Sequence, residues 1–259
     1  QDWKFVFVAT LLAGCVTKLP DWLHLNKEQF FQRNVTFIIF PFLSAWFYWK
    51  NRLSLRQVLF PIAATIVAAI YINLLPVRAN SDSIVLACIH LPVFLWVLFS
   101  YVYAEGRLVS PVKQIHFVRY NGDLVVMINI MAIAAMIFTA IIINLFRLID
   151  IDISDFYTHY VAVWGGAAIP VVGNYLVQTN PQLVHKVSPV VARVFTPVVL
   201  VSLLFYLVGM LYSVKNPYQD REFLVIFNAM LVGIMALILF SLAAMGQNTA
   251  RLLNLLILF

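Results

Sequence analysis

Charge is what this sequence has least of. Asp, Glu, Lys and Arg make up 11% of its 259 residues, against 63% hydrophobic, where a soluble domain carries roughly a quarter charged residues. The few charges lie between apolar runs of about 20 residues, the length that crosses a bilayer core. That pattern excludes a water-soluble globular domain and defines a polytopic membrane protein whose first partner is the lipid bilayer. The net charge of +6 then reports topology, not nucleic-acid binding. Cysteine is nearly absent too: Cys15 and Cys88 both lie in apolar segments, with no CxxC pair and no metal-ligand spacing, so they read as buried thiols and no metal is expected. HExxH, GxSxG, a Gly-rich phosphate loop and paired intramembrane aspartates are all missing. No catalytic residue and no cofactor is therefore assigned, and an enzyme reading rests on nothing specific.

Eight apolar segments are present, near 3–19, 34–49, 57–75, 83–104, 123–146, 156–178, 189–214 and 222–245, and a ninth begins near Gln247. They are too long for strands, and in lipid each must satisfy its own backbone, which requires helix. The expected fold is an all-α integral membrane protein, a polytopic bundle of about eight transmembrane helices with the last one truncated. Residues 1–259 read as a single transmembrane domain without a repeat, a linker or a soluble insertion. Phe is abundant, with 21 residues, and Trp and Tyr recur near segment ends as interfacial anchors do. The stretch Phe5 to Val16 has no secretory cleavage pattern after it. Gln1 is an unusual first residue and Leu252 to Phe259 is an apolar run, so the expectation is that the chain continues at both ends.

The longest polar connections expected are 20–33 and 105–122. Lys50, Arg52 and Arg56 share one loop without an acid, and Arg107, Lys113 and Arg119 share another. The positive-inside rule puts the 50–56, 105–122, 179–188 and 246–250 loops in the cytoplasm. The 147–155 and 215–221 loops, which are acidic or poor in positive charge, then face outward. Lys27 and Arg33 in the 20–33 connection run against this assignment.

Several residues stand out as candidates. His90 lies inside a span, followed by Pro92 and Trp96. An ionisable group there is a functional candidate by default, and the structural account is a neutral imidazole bonded to a backbone oxygen such as that of Cys88, freed by Pro92. Arg193 lies one turn into its segment and suits either an anionic group or the nearby membrane face. The Trp164-Gly165-Gly166-Ala167-Ala168-Ile169-Pro170 stretch suits either close helix packing or a broken helix at a binding site. Asp150, Asp152, Asp155 and His159 form an acidic cluster that the helix dipole alone would explain. Residues 112–123, VKQIHFVRYNGD, alternate like a short hairpin strand or an interfacial helix, and Arg119 and Lys113 there suit anionic headgroups. Asp220, Arg221 and Glu222 sit on the outer side behind Asn216-Pro217-Tyr218-Gln219, a capping-box pattern that accounts for the acids as helix-start charges.

Five stretches in order, IHLPVFLW (89–96), FVRYNGD (117–123), FRLIDIDISDFY (146–157), SPVVARVFTPVVL (188–200) and DREFLVIFN (220–228), together resemble a bacterial family of multi-pass membrane proteins known only as domain of unknown function 4153. The resemblance runs from about Phe31 to the end. It departs at Ile89, where leucine is expected. It implies a multi-pass protein of the bacterial inner (cytoplasmic) membrane with further apolar segments beyond this point, and it supplies no reaction, substrate or cofactor. It marks His90, Trp96, Arg119, Asn121, Arg193, Asp220, Arg221 and Glu222 as positions within the family's patterns. Two functions are expected. One is a carrier or lipid-handling protein for a neutral or lipid-like substrate, with a cavity lined by His90, Trp96, Arg193 and the Gly165–Pro170 break. The other is a non-catalytic membrane subunit that scaffolds or regulates a membrane-protein partner or assembles as a homo-oligomer. No acid lies in the middle of a segment, which counts against proton or sodium coupling.

Overall fold

The computed structural model describes residues 2–76, 81–106, 111–179 and 187–212, with scattered residues between 221 and 235. Among them every regular element is helical: α1 Asp2–Trp22, α2 Lys27–Asn51, α3 Leu55–Leu74, α4 Asp82–Tyr103, α5 Pro111–Leu148, α6 Ser154–Phe156, α7 Val163–Thr179 and α8 Val187–Tyr212. A π-helical turn, Tyr157–Ala162, joins α6 to α7. Five stretches, Asp2–Trp22, Leu55–Leu74, Asp82–Tyr103, Pro111–Arg147 and Ser154–Thr179, are long and apolar enough to cross a membrane. The chain divides into two compact units, residues 1–125 with 163–175, and residues 126–162 with 176–259.

In the first unit α2 packs against α1, α3 and α4, and α3 packs against α4. The position of α2 explains its composition. It falls short of the apolarity of a spanning helix because Arg33, Asn34 and Thr36 lie on it, and all three are buried. Its aromatic side chains replace lipid as the surroundings of the neighbouring helices. Trp46 is 1% exposed and meets Phe5, Trp49 and Tyr175 at ring-centroid distances of 5.5 to 5.9 Å. Phe47 meets Phe99, Tyr103 and Tyr120 at 5.0 to 5.7 Å. Local signals set the ends of the helices. Asn26 Oδ1 accepts from the Gln29 N–H at 3.1 Å and caps α2. Arg52 takes the left-handed conformation, φ 48°, and its N–H returns to the Tyr48 carbonyl to close the same helix. Ser54-Leu55-Arg56-Gln57 has the capping-box spacing, and Gln57 Oε1 accepts from the Ser54 N–H at 3.0 Å at the start of α3.

Three expectations need correction. The 20–33 connection shrinks to residues 23–26, because α1 runs to Trp22 and α2 starts at Lys27. Arg33 is thus a helical, buried residue and not a loop charge. Residues 112–123 do not form a hairpin strand; of the two expectations the helical one holds. They are the first turns of α5, a 38-residue helix, and the buried side chains there are Phe117, Tyr120 and Leu124, a helical spacing. At 1.5 Å per residue, α5 is roughly 57 Å long, well beyond a hydrocarbon core of about 30 Å, so its polar first turns extend the helix past the apolar part. Finally, Gly165 to Pro170 does not break its helix, since α7 runs through it unbroken. The irregular backbone lies one turn earlier, in the π-helical turn.

In the second unit Ile142, Leu145, Phe146, Ile149, Tyr157 and Tyr206 form one buried cluster. Phe138 of α5 stacks on Phe195 of α8 at 5.2 Å. The apolar run 222–245 and the start of a ninth lie outside the described residues, apart from isolated positions of the former.

Close packing falls on a glycine the sequence did not single out. A Cβ on Gly14 would sit 2.3 Å from Trp164 Cε3, whereas a Cβ on Gly165 or Gly166 would meet nothing within 4 Å. Helix propensity favours alanine over glycine by about 1 kcal/mol, but forcing a methyl into a filled site costs about 1–3 kcal/mol or more, and a 2.3 Å approach is at the severe end. Gly14→Ala is expected to lower the unfolding temperature in detergent. Gly165→Ala should leave it unchanged or raise it, and a drop as large as that of Gly14→Ala would contradict this packing.

Candidate functional site

The least filled part of the first unit lies around α3. Only Pro61 and Ile72 of this helix are buried, and two grooves flank it. One, of about 820 Å³, runs between α3 and α4 past Phe60, Ala64, Ala68, Ile72, Ala87 and His90. The other, of about 380 Å³, lies toward α2 past Phe40, Pro41, Ala45, Thr65 and Ile66. Small side chains make the larger groove: Ala63, Ala64, Val67 and Ala68 on α3 face Leu86, Ala87, His90 and Leu91 on α4. Ile72 and Leu91 of its lining belong to the buried cluster Ile72, Leu91, Leu95 and Leu98. The residues from Phe60 to Ile72 span roughly 18 Å of helix, about three-fifths of a hydrocarbon core about 30 Å thick.

Polar contacts hold α3 at both ends. At its start Gln57 Nε2 donates to the Glu105 carbonyl at 2.8 Å. At its end Asn73 and Asn34 of α2 exchange amide hydrogen bonds at 2.8 and 2.9 Å. Each amide also donates to the carbonyl four residues back, Asn34 to Phe30 at 3.1 Å and Asn73 to Ala69 at 2.9 Å. Next to them Arg33 Nη1 donates to the Leu75 carbonyl at 3.0 Å, just past the end of α3. An apolar middle between two polar ends leaves α3 positioned but loosely packed.

The residues singled out from the sequence separate into different places. His90 lines the larger groove and is exposed there. Its Nδ1 lies 2.8 Å from the Leu86 carbonyl, not from the carbonyl of Cys88. A carbonyl only accepts, so Nδ1 carries the hydrogen. Trp96 and Asn121 come together: Trp96 Nε1 donates to Asn121 Oδ1 at 3.2 Å, and Asn121 Nδ2 donates to the Phe117 carbonyl at 2.7 Å. This bond ties α4 to α5. Gly165 is exposed and Pro170 buried on α7, and neither they nor Trp96 line the His90 groove. The single cavity expected from His90, Trp96 and the Gly165–Pro170 stretch is therefore not what these residues form. Arg119 is exposed on α5. The Arg193 side chain, Asp220 and Glu222 lie outside the described residues, and Arg221 is exposed. In the acidic cluster Asp152 accepts from the backbone N–H of Ser154 at 2.9 Å and from its hydroxyl, and these two bonds hold its carboxyl below the usual range. Among the described residues no group of His, Cys, Asp and Glu could hold a metal ion.

Buried polar groups were the larger omission. Lys18 is buried and pairs with Asp21 at 2.6 Å, and Asp21 also pairs with Lys27 at 2.7 Å. Tyr120 donates to Asn174 Oδ1 at 2.8 Å, with both residues buried. The signal for α3 was present: Asn73 stands inside the 57–75 run, and an amide inside a span is expected to bond across helices. No family model, curated protein or solved structure matches this chain.

Interhelical hydrogen bonds in membranes average about 0.6 kcal/mol and reach about 1.7 kcal/mol. The reciprocal Asn34–Asn73 pair is expected near the upper end, because it makes two such bonds. A double-mutant cycle with Asn34→Leu and Asn73→Leu, read by unfolding in detergent, should give a coupling of about 1–2 kcal/mol. A coupling near zero would show that the pair does not hold α3.

Proposed function

We propose that this chain is a lipid-handling protein of the bacterial inner (cytoplasmic) membrane, a member of the family known as domain of unknown function 4153, crossing the membrane with about eight helices. In this reading the groove between α3 and α4 takes one acyl chain of a lipid or lipid-like molecule. The observation that carries the proposal is the character of the groove. It holds about 820 Å³ and its lining is apolar apart from Ser83, Tyr71 and His90. A polar solute would need convergent donors and acceptors, and His90 already spends Nδ1 on its own helix. An acyl chain needs none.

The outer face of α3 favours lipid as the neighbour of this groove. Leu55 is 88% exposed and Leu74 77% exposed, and Leu59, Val67 and Tyr71 between them are exposed as well. A contiguous apolar surface of this kind implies a membrane or a partner. The alternative, a scaffolding or regulatory subunit, would cover this face with another helix.

Filling the groove tests the proposal. Ala64→Trp and Ala68→Trp place a ring in it without touching the polar ends of α3. Native mass spectrometry of protein extracted from its own membranes should show a co-purifying lipid on the unaltered chain and at least a several-fold loss on either variant, with the unfolding temperature little changed. Equal lipid retention by the variants would reject the groove as the binding site. A stoichiometric second polypeptide in place of lipid would establish the subunit reading.

A further inference from the structure

A buried cation bonds to the chain just past the end of α3. Arg33 is 8% exposed, and among the described residues it has no carboxylate within salt-bridge distance and only one hydrogen-bond partner, the Leu75 carbonyl on Nη1. A helix C-terminus offers only about half a negative charge, and an enclosed guanidinium with no counter-charge is costly. Among the described residues its Nε and Nη2 have no hydrogen-bond partner. These two N–H groups lie side by side in the plane of the guanidinium. That is the fork that binds two oxygens of a phosphate at once.

The position fits a headgroup. Leu75 lies three residues past Ile72, the last α3 residue of the groove, which is roughly 4.5 Å along the helix. It also lies at the end of an apolar span, where headgroups begin. We propose that Arg33 is a phosphate-binding site, its Nε/Nη2 edge holding the phosphodiester of an anionic lipid whose acyl chain lies in the α3/α4 groove. This rests on the groove reading above for the tail, while the charge argument concerns Arg33 alone. The Asn34 and Asn73 amides are committed to each other and to their own helices, so Arg33 supplies the charge recognition and the amide pair holds α2 and α3 in place around it.

The test uses the full chain in detergent, offered phosphatidylglycerol, diacylglycerol with the same acyl chains, or inorganic phosphate, and read by native mass spectrometry. Charge-assisted hydrogen bonds of about 1.5–3 kcal/mol correspond to roughly tenfold or more in affinity. Phosphatidylglycerol should therefore be retained at least tenfold better than diacylglycerol. Arg33→Gln should erase that preference and leave diacylglycerol binding unchanged, whereas Ala68→Trp should abolish retention of both lipids. Equal retention of the two lipids by the unaltered chain would overturn the phosphate site and leave the groove reading intact. Retention of neither lipid would overturn both. Binding of inorganic phosphate that Arg33→Gln removes, without a preference between the lipids, would assign a free anion and overturn the lipid source. Should Arg33→Gln not accumulate, Arg33→Lys keeps the charge and loses the fork, and an unchanged lipid preference in that variant would equally overturn the proposal.

Discussion

The arrangement of the first unit depends on a pair of side-chain amides. Asn34 is buried and Asn73 lies exposed near the end of α3; each has donors and an acceptor, and they satisfy one another across α2 and α3 while returning a second bond to their own helices. In hydrocarbon an amide left without partners is unfavourable by several kcal/mol, so the register of α3 on α2 is set where these two residues meet. Gln57 on the Glu105 carbonyl performs the same service at the other end. Between these points α3 carries alanine, valine and isoleucine, which neither demand nor supply specific partners. The grooves on both sides of it follow from a helix held at its ends and left thin in its middle.

The inversion of polarity in this unit has the same cause. The helix with the lowest apolar character, α2, is the central one, and α3, whose outer side is almost wholly apolar, lies at the edge. In water the order would be reversed. In a bilayer the solvent is apolar, so polar groups are best placed among other helices, where carbonyls and amides are available. Arg33 with the Leu75 carbonyl and Tyr120 with Asn174 follow that rule. Among the described residues, four buried side-chain atoms, Thr36 Oγ1, Trp46 Nε1, Asn174 Nδ2 and Tyr206 Oη, stand without a partner. They are the points at which the rule is incompletely met.

The groove and the buried cation belong to one reading. An apolar channel selects for length and flexibility and says little about the headgroup, and a lone guanidinium selects for an anion and says little about the tail. Ile72 of the groove and Leu75, whose carbonyl Arg33 holds, are three residues apart, and the ligand we propose for the two together is an amphiphile. His90, the ionisable residue most visible in the sequence, contributes less to that description than Arg33, because its ring is anchored to its own helix.

Apolar runs of spanning length and sparse charge were enough to establish that the protein is helical and apolar enough to lie in a membrane, because both follow from local composition and from the backbone's need for internal hydrogen bonds. The start of α3 was written locally in Ser54 to Gln57, and the spacing of Phe117, Tyr120 and Leu124 was already helical, although the alternating polarity beside it suggested a strand. His90 was legible as a membrane histidine, and its bond to its own helix was anticipated up to the choice of carbonyl. What tertiary structure alone decided is pairing. That Trp96 meets Asn121, that Gly14 and not Gly165 receives the tryptophan ring, and that Arg33 leaves the loop for the bundle all depend on which helix faces which, over separations of up to 150 residues. Apolar side chains specify burial without specifying a partner, so a sequence made mostly of them determines its elements and leaves their contacts to be settled by the few polar groups and by shape.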